Sequence, residues 1–186
     1  MKISIKAEGL ERFGDFIGMT ASKFDTAAAR AINRTIDGTL TLARRTIAAQ
    51  THIKPSRIKR RLVIRKAARD SLNGAIWVGV LPFPAAWIEP IRPKGMNPRQ
   101  QRKMAGATAG GGKFNFPGAF VARMPNGKLG IFQRQSPARS SFIEKTLTAD
   151  QLGIANLEQP LSDYAEDRLE RELSHELGRL LGVSNG

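Results

Sequence analysis

Apolar residues recur along this chain with two different periods, and the switches between them mark out the predicted elements. At the start, Ile3 and Ile5 alternate with Lys2, Ser4 and Lys6, a period of two that suits a half-buried strand over Met1–Ala7, closed by Gly9. Between Ala21 and Gln50 the period lengthens. Phe24, Ala28, Ile32, Ile36, Leu40, Ala43 and Ile47 fall every three or four positions, while Arg30, Arg34, Asp37, Thr41 and Arg44 take another face, as in an amphipathic helix. Gly38 costs such a helix roughly 1 kcal/mol against Ala, so it marks close packing or a break into two helices; close packing is the preferred reading.

Lys54 precedes Pro55 and must leave the helical region, after which Pro55 suits the first turn of a short helix to Arg61. Strands follow over Leu62–Lys66 and Ala75–Leu81, joined as a hairpin by the turn signal Asp70–Gly74. From Pro82 to Gly112 the chain is dense in Pro, Gly, Arg and Lys, and Ala105–Gly112 has almost nothing to bury. Residues 92–113 are therefore expected to form a mobile loop, ordered only against a partner. Gly118–Gln133 reads as a second hairpin around Asn126-Gly127, whose residues accept the positive φ of tight turns. Leu161, Ala165, Leu169, Leu173, Leu177 and Leu181 recur every four residues, predicting a C-terminal amphipathic helix with an acidic outer face. With no internal repeat, the elements add up to one α+β domain over 1–186. In it an antiparallel β-sheet is packed by the long N-terminal helix and closed by the C-terminal one, with a long basic loop. Ile32, Ile36 and Leu40 are expected to meet Ile76, Val78, Phe120 and Ile131.

At 186 residues, 41% of them hydrophobic, the chain can bury a core and is too apolar for disorder. The absence of cysteine removes disulfides, thiolate nucleophiles and sulfur-ligated metals, and fits a reducing cytoplasm. The N-terminus lacks a signal-peptide apolar stretch and no apolar run reaches the roughly 18 residues of a membrane span, so cytoplasmic folding is expected and no membrane partner.

Charge changes the picture more. The net charge is +14, and it is unevenly spread: residues 30–69 hold twelve basic side chains against one acidic, whereas 140–186 hold four against nine. Arg57, Lys59, Arg60, Arg61, Arg65, Lys66 and Arg69 lie within thirteen residues. Such a run can neutralise phosphates without regard to sequence, or face an acidic neighbour, including the chain's own last helix; the protein-facing reading is preferred. The run contains no aromatic residue for base stacking, and no zinc-finger or helix-turn-helix pattern is present. Arg99, Arg102, Lys103 and Lys113 are further candidate contacts in the loop.

Nothing reads as an active site. His52, near a helix end, and His175, on the acidic helix, have no ligand-spaced neighbours, so no metal or cofactor is expected. Asp163, Glu166, Asp167 and Glu170 can all face water and have no apolar setting to raise a pKa. Gly110-Gly111-Gly112-Lys113 lacks the rest of a phosphate-cradling loop, and no serine sits in a nucleophile elbow.

Several segments in order resemble the minor tail protein Z family of tailed phages and prophages. They are the Gly9-Leu10-Glu11 opening, the helix around Ala28-Ala29-Arg30-Ala31-Ile32-Asn33-Arg34, the basic Arg57-Ile58-Lys59-Arg60-Arg61-Leu62-Val63 and Gly79-Val80-Leu81-Pro82. Above all there is the hairpin from Phe116-Pro117-Gly118-Ala119-Phe120 through Asn126-Gly127-Lys128 to Phe132-Gln133-Arg134. The closing helix is echoed in Arg168-Leu169-Glu170-Arg171-Glu172-Leu173. The resemblance implies a non-enzymatic tail-completion protein at the head-joining end of a long tail, supporting DNA delivery. Its implied partners are other tail and head-tail connector proteins, and its place is the host cytoplasm and then the virion tail. Nonspecific contact with DNA passing through the tail, and a homo-oligomeric ring, stay open. The rival from another class is a stand-alone nonspecific nucleic-acid-binding protein, which the charge favours.

Overall fold

The computed structural model of the protein describes residues 1–6, 21–79, 81–94, 106–136 and 141–182. In β1 (Lys2–Lys6) Ile3 and Ile5 are buried and Lys2, Ser4 and Lys6 exposed, as the alternation requires. The long helix α1 (Ala21–Thr51) runs unbroken through Gly38. It ends where His52 takes a left-handed φ of 57° and its N–H donates to the Ala48 carbonyl at 2.9 Å. A short helix, α2 (Pro55–Lys59), precedes β2 (Leu62–Arg65) and β3 (Asn73–Val78). Then come β4 (Phe83–Pro84), β5 (Arg92–Lys94), β6 (Gly106–Ala109), β7 (Phe114–Pro117), β8 (Ala119–Arg123), β9 (Leu129–Arg134), β10 (Phe142–Glu144), β11 (Thr146–Leu147) and the last helix α3 (Glu158–Leu180). The class is α+β. Its strands, expected in one sheet, are spread over four small antiparallel sheets among the described residues.

Where the sequence reads as one domain, the contacts group the chain into two compact units. The first comprises residues 1–45, 60–79 and 155–186. Its sheet has the order β1-β3-β2, and α1 and α3 bury Ile32, Ile36, Ala43, Leu161 and Ala165 with Ile3, Ile5 and Ile76. Gly74 explains the fit: a Cβ there would overlap the Cδ1 of Ile36. The glycine lets a helix side chain rest on strand backbone, a use of glycine other than the turn read from Asn73-Gly74. The hairpin reverses earlier instead, where Ala68 and Ser71 exchange backbone hydrogen bonds of 3.0 and 3.1 Å. Gly38 works similarly between helices. A Cβ on it would overlap the Arg168 guanidinium, so close packing is the reason for this glycine.

The second unit comprises residues 46–59 and 80–154. Its sheets have the orders β5-β6-β7, β10-β9-β8 and β11-β4. The loop expected over 92–113 contains two strands among the described residues: Arg92–Lys94 pairs with Gly106–Thr108 of β6, and β6 pairs in turn with β7. Residues 95–105 lie outside the described residues. Ala107 and Ala109 are fully buried, and a Cβ at Gly106 would come within 2.6 Å of the Phe116 carbonyl oxygen. Small side chains thus serve close backbone approach, and their low hydrophobicity disguised a strand as a loop. The β8–β9 hairpin is as predicted in place but not in turn type. Only Gly127 has a positive φ, 78°, and its N–H donates to Met124 O at 2.8 Å, giving a three-residue loop ending in a left-handed glycine. Phe120 and Ile131 belong to this unit and take no part in the Ile32–Ile36 core.

Ile36→Ala should cost about 2 to 5 kcal/mol, the loss expected for an aliphatic side chain in a closed core; an unchanged denaturant midpoint would contradict the packing on Gly74. Gly38→Ala should stabilise by less than the roughly 1 kcal/mol that the same change gains in an exposed helix, because the Arg168 guanidinium must move aside; the full gain would show that Arg168 does not need that space.

Candidate interaction surfaces

The basic run is divided between the two units. Arg57 and Lys59 lie on α2 in the second, whereas Arg60, Arg61, Arg65, Lys66 and Arg69 belong to the first. Their surroundings differ more than their spacing suggests. Arg57 is half-buried, with Nη1 at 3.6 Å from Glu89 Oε1 and 3.5 Å from the Ala86 carbonyl oxygen, and its guanidinium lies 5.9 Å from the centroid of Trp87. Lys54 adds its ammonium to the same carboxylate at 3.2 Å. Arg57 therefore braces its own unit. Lys66 pairs with Asp37 at 3.1 Å. Lys59, Arg60 and Arg69 are exposed and make no ion pair among the described residues.

Arg65 shows why register matters. In the first unit's sheet Lys2 and Val63 both stand opposite Trp77, and directly opposed residues share a face. The Lys2 ammonium lies 5.9 Å and the Arg65 guanidinium 5.7 Å from the Trp77 ring centroid. The basic run has no aromatic of its own, and β3 supplies one; the indole is already flanked by two cations, which is the arrangement of a cation–π contact. Trp77 lies in the strand that the sequence pairs with this run, but the pattern does not give the register that sets the ring against Val63.

The acidic helix is also less uniform than its sequence. Asp163, Glu166, Asp167 and Glu170 are exposed, as expected. Glu176 is not: its side chain is 0% exposed, with Arg34 of α1 at 2.7 Å and Arg179 at 2.9 Å. His175, exposed, lies 3.5 Å from the same Arg34. Further along, Arg168 donates to the Tyr164 hydroxyl at 3.0 Å and to Glu172 at 3.1 Å. The Tyr164 hydrogen bond, helped by the Glu172 carboxylate, holds the guanidinium above its ordinary pKa against the opposing effect of burial. A groove of about 540 Å³ runs here between α1 and α3, lined among others by Arg34, Arg45 and Arg168 and by Asp37 and Glu172. Of these charges Arg34 and Glu172 face each other across the two helices at 3.8 Å, whereas Asp37 is paired with Lys66 and Arg168 with Glu172 of its own helix.

In the second unit Lys113 is exposed, 5.7 Å from the Phe114 ring; Arg99, Arg102 and Lys103 lie outside the described residues. The β8–β9 hairpin with β10 gathers Phe120, Phe132 and Phe142, with centroids 5.4 to 6.3 Å apart, and Arg134 lies 5.7 Å over Phe120. Among the described residues no group of three or more His, Asp or Glu side chains could hold a metal ion, and no helix is long and apolar enough to cross a membrane.

These surfaces are built of cations, edge strands and aromatic clusters, and one comparison gives them a context. The family model of prophage minor tail protein Z (GPZ) matches residues 14–183. The chain belongs to this family. It is therefore a phage minor tail protein, of a structural tail family. No curated protein and no solved structure matches it. The matched span includes most of both units, so the family's features are not confined to the hairpin that carries much of the sequence resemblance.

The two kinds of cation should separate experimentally. Arg57→Ala should destabilise the protein by about 1 kcal/mol, since the Ala86 carbonyl and the Trp87 indole lose their cation while Lys54 still pairs with Glu89. Arg69→Ala should change stability by less than about 0.5 kcal/mol. Equal effects in urea denaturation would contradict the distinction.

Proposed function

We propose that this minor tail protein acts in tail completion, at the end of a long tail that joins the head, and supports DNA delivery. Its partners on this reading are neighbouring tail and head-tail connector proteins, met first in the host cytoplasm during assembly. The observation that carries the reading is the exposed cationic stretch of the first unit, Arg60, Arg65 and Arg69, on a chain of a tail family. Surface charge of one sign steers an oppositely charged partner and fixes how it docks. The net charge of +14 favours a second reading, in which the same cations line the DNA path and meet phosphates nonspecifically. Docking on protein is preferred, because it asks nothing about which surface lines the lumen.

Arg60→Glu, Arg65→Glu and Arg69→Glu combined should give a folded protein, since exposed charges contribute little to stability. Complementation of a phage lacking the protein should then yield tails that fail to join heads. Joined particles with lost infectivity would instead support the DNA-path reading. Wild-type joining, yield and infectivity together would remove this surface from the account.

A further inference from the structure

We infer that the outer edge of β2 is an acceptor for an added strand, supplied by an extended acidic segment of another tail protein. The inference rests on the docking reading above and names its mode. In the order β1-β3-β2, β2 ends its sheet, whereas the opposite end, β1, has α3 packed along it with a groove lined by Ser4, Lys6, Ser162 and Glu166.

Register fixes which backbone groups β2 leaves over. The Gly79 N–H donates to the Arg61 carbonyl at 2.7 Å, and the Val78 N–H donates to Met1 on the other side at 3.1 Å. Antiparallel pairs alternate between bonded and non-bonded residues, so Val63 and Arg65 spend their backbone groups on β3 and those of Leu62 and Ile64 point outward. Neither has another hydrogen-bond partner among the described residues. The side chains of this strand are as uncovered as its edge: Val63 is 59% and Ile64 37% exposed, on opposite faces of the sheet. An edge strand that is apolar on both faces and unpaired is a template for another strand.

Charge selects the occupant. Arg60, just before β2, and Arg65, at its end, are both exposed, so an antiparallel second β2 from another copy would set cations against cations, which destabilises strand pairs. An acidic strand meets the opposite field. DNA fits less well, because its phosphates accept hydrogen bonds but cannot serve the outward carbonyls of Leu62 and Ile64.

A labelled peptide of about ten residues alternating Glu and Val supplies the missing strand as a probe. It should bind the full-length protein saturably in fluorescence anisotropy, and affinity should fall as salt rises. Ile64→Pro removes an outward N–H and leaves the ladder to β3, as proline on an edge strand does; it should weaken binding about tenfold, the equivalent of one lost hydrogen bond. N-methylating alternate peptide residues should abolish binding to the wild-type protein, a measurement that needs no variant to fold. Equal binding by the N-methylated peptide, unchanged affinity of a folded Ile64→Pro protein, or binding of a short DNA duplex but not of the peptide would each overturn the proposal. In complementation, triple charge reversal that blocks head joining while Ile64→Pro joins normally would overturn strand addition alone. Peptide binding lost in Ile64→Pro, with head joining intact after charge reversal, would support the edge as an acceptor and overturn the docking reading.

Discussion

The rest of the first unit depends on the contact of Ile32 and Ile36 with the bare backbone of Gly74. A helix side chain can sit on a strand at this depth only where the strand has no Cβ. Once it does, β3 has one face committed to α1, and alternation sends Ile76 inward and Trp77 outward. Ile3 and Ile5 close the same core from β1, and α3 joins it through Leu161 and Ala165. The buried Glu176 held by Arg34 fastens α3 to α1, and the Arg168 guanidinium lies in the space left by Gly38. With these three elements fixed, β2 is left at the margin, paired on one side only.

That margin is where a large net charge becomes a local one. Two cations of the basic run are already engaged: Arg57 with Glu89 and Trp87, and Lys66 with Asp37. Arg60 and Arg69 have no such partners among the described residues, and Arg65 holds its charge over the Trp77 indole. A protein of the minor tail protein Z family has neighbours on an assembling tail, and an edge strand with cations around it suits a contact formed only there. The same charges oppose pairing between two copies through this edge, which keeps the exposed apolar pair Val63 and Ile64 from becoming a site of self-aggregation.

Periodicity made the large elements legible. α1, α3, β1 and the β8–β9 hairpin follow patterns of burial that survive folding because each has one wet and one dry face. The family was legible in the order of those elements and the residues within them. Failures came where small residues are used for approach and not for freedom. Gly74 reads as a turn beside Asn73, and Gly106–Ala109 reads as loop; both signals are real preferences, overridden by a helix in one case and by pairing with the Phe116 strand in the other. The candidate surface was half legible: the run of cations is plain, but which of them are engaged depends on Glu89, Asp37, Trp77 and Trp87, each brought in by tertiary contacts. Glu176 hid in an acidic helix for the same reason.

On the proposed reading, this tail protein meets its neighbour along β2. Site-resolved amide hydrogen exchange, on the isolated protein and on the same protein within assembled tails, tests it most directly. The Leu62 and Ile64 amides should exchange readily in isolation and become strongly protected in tails, while those of Val63 and Arg65, already bonded to β3, change little. Equal exchange at Leu62 and Ile64 in both states would rule out strand addition at this edge.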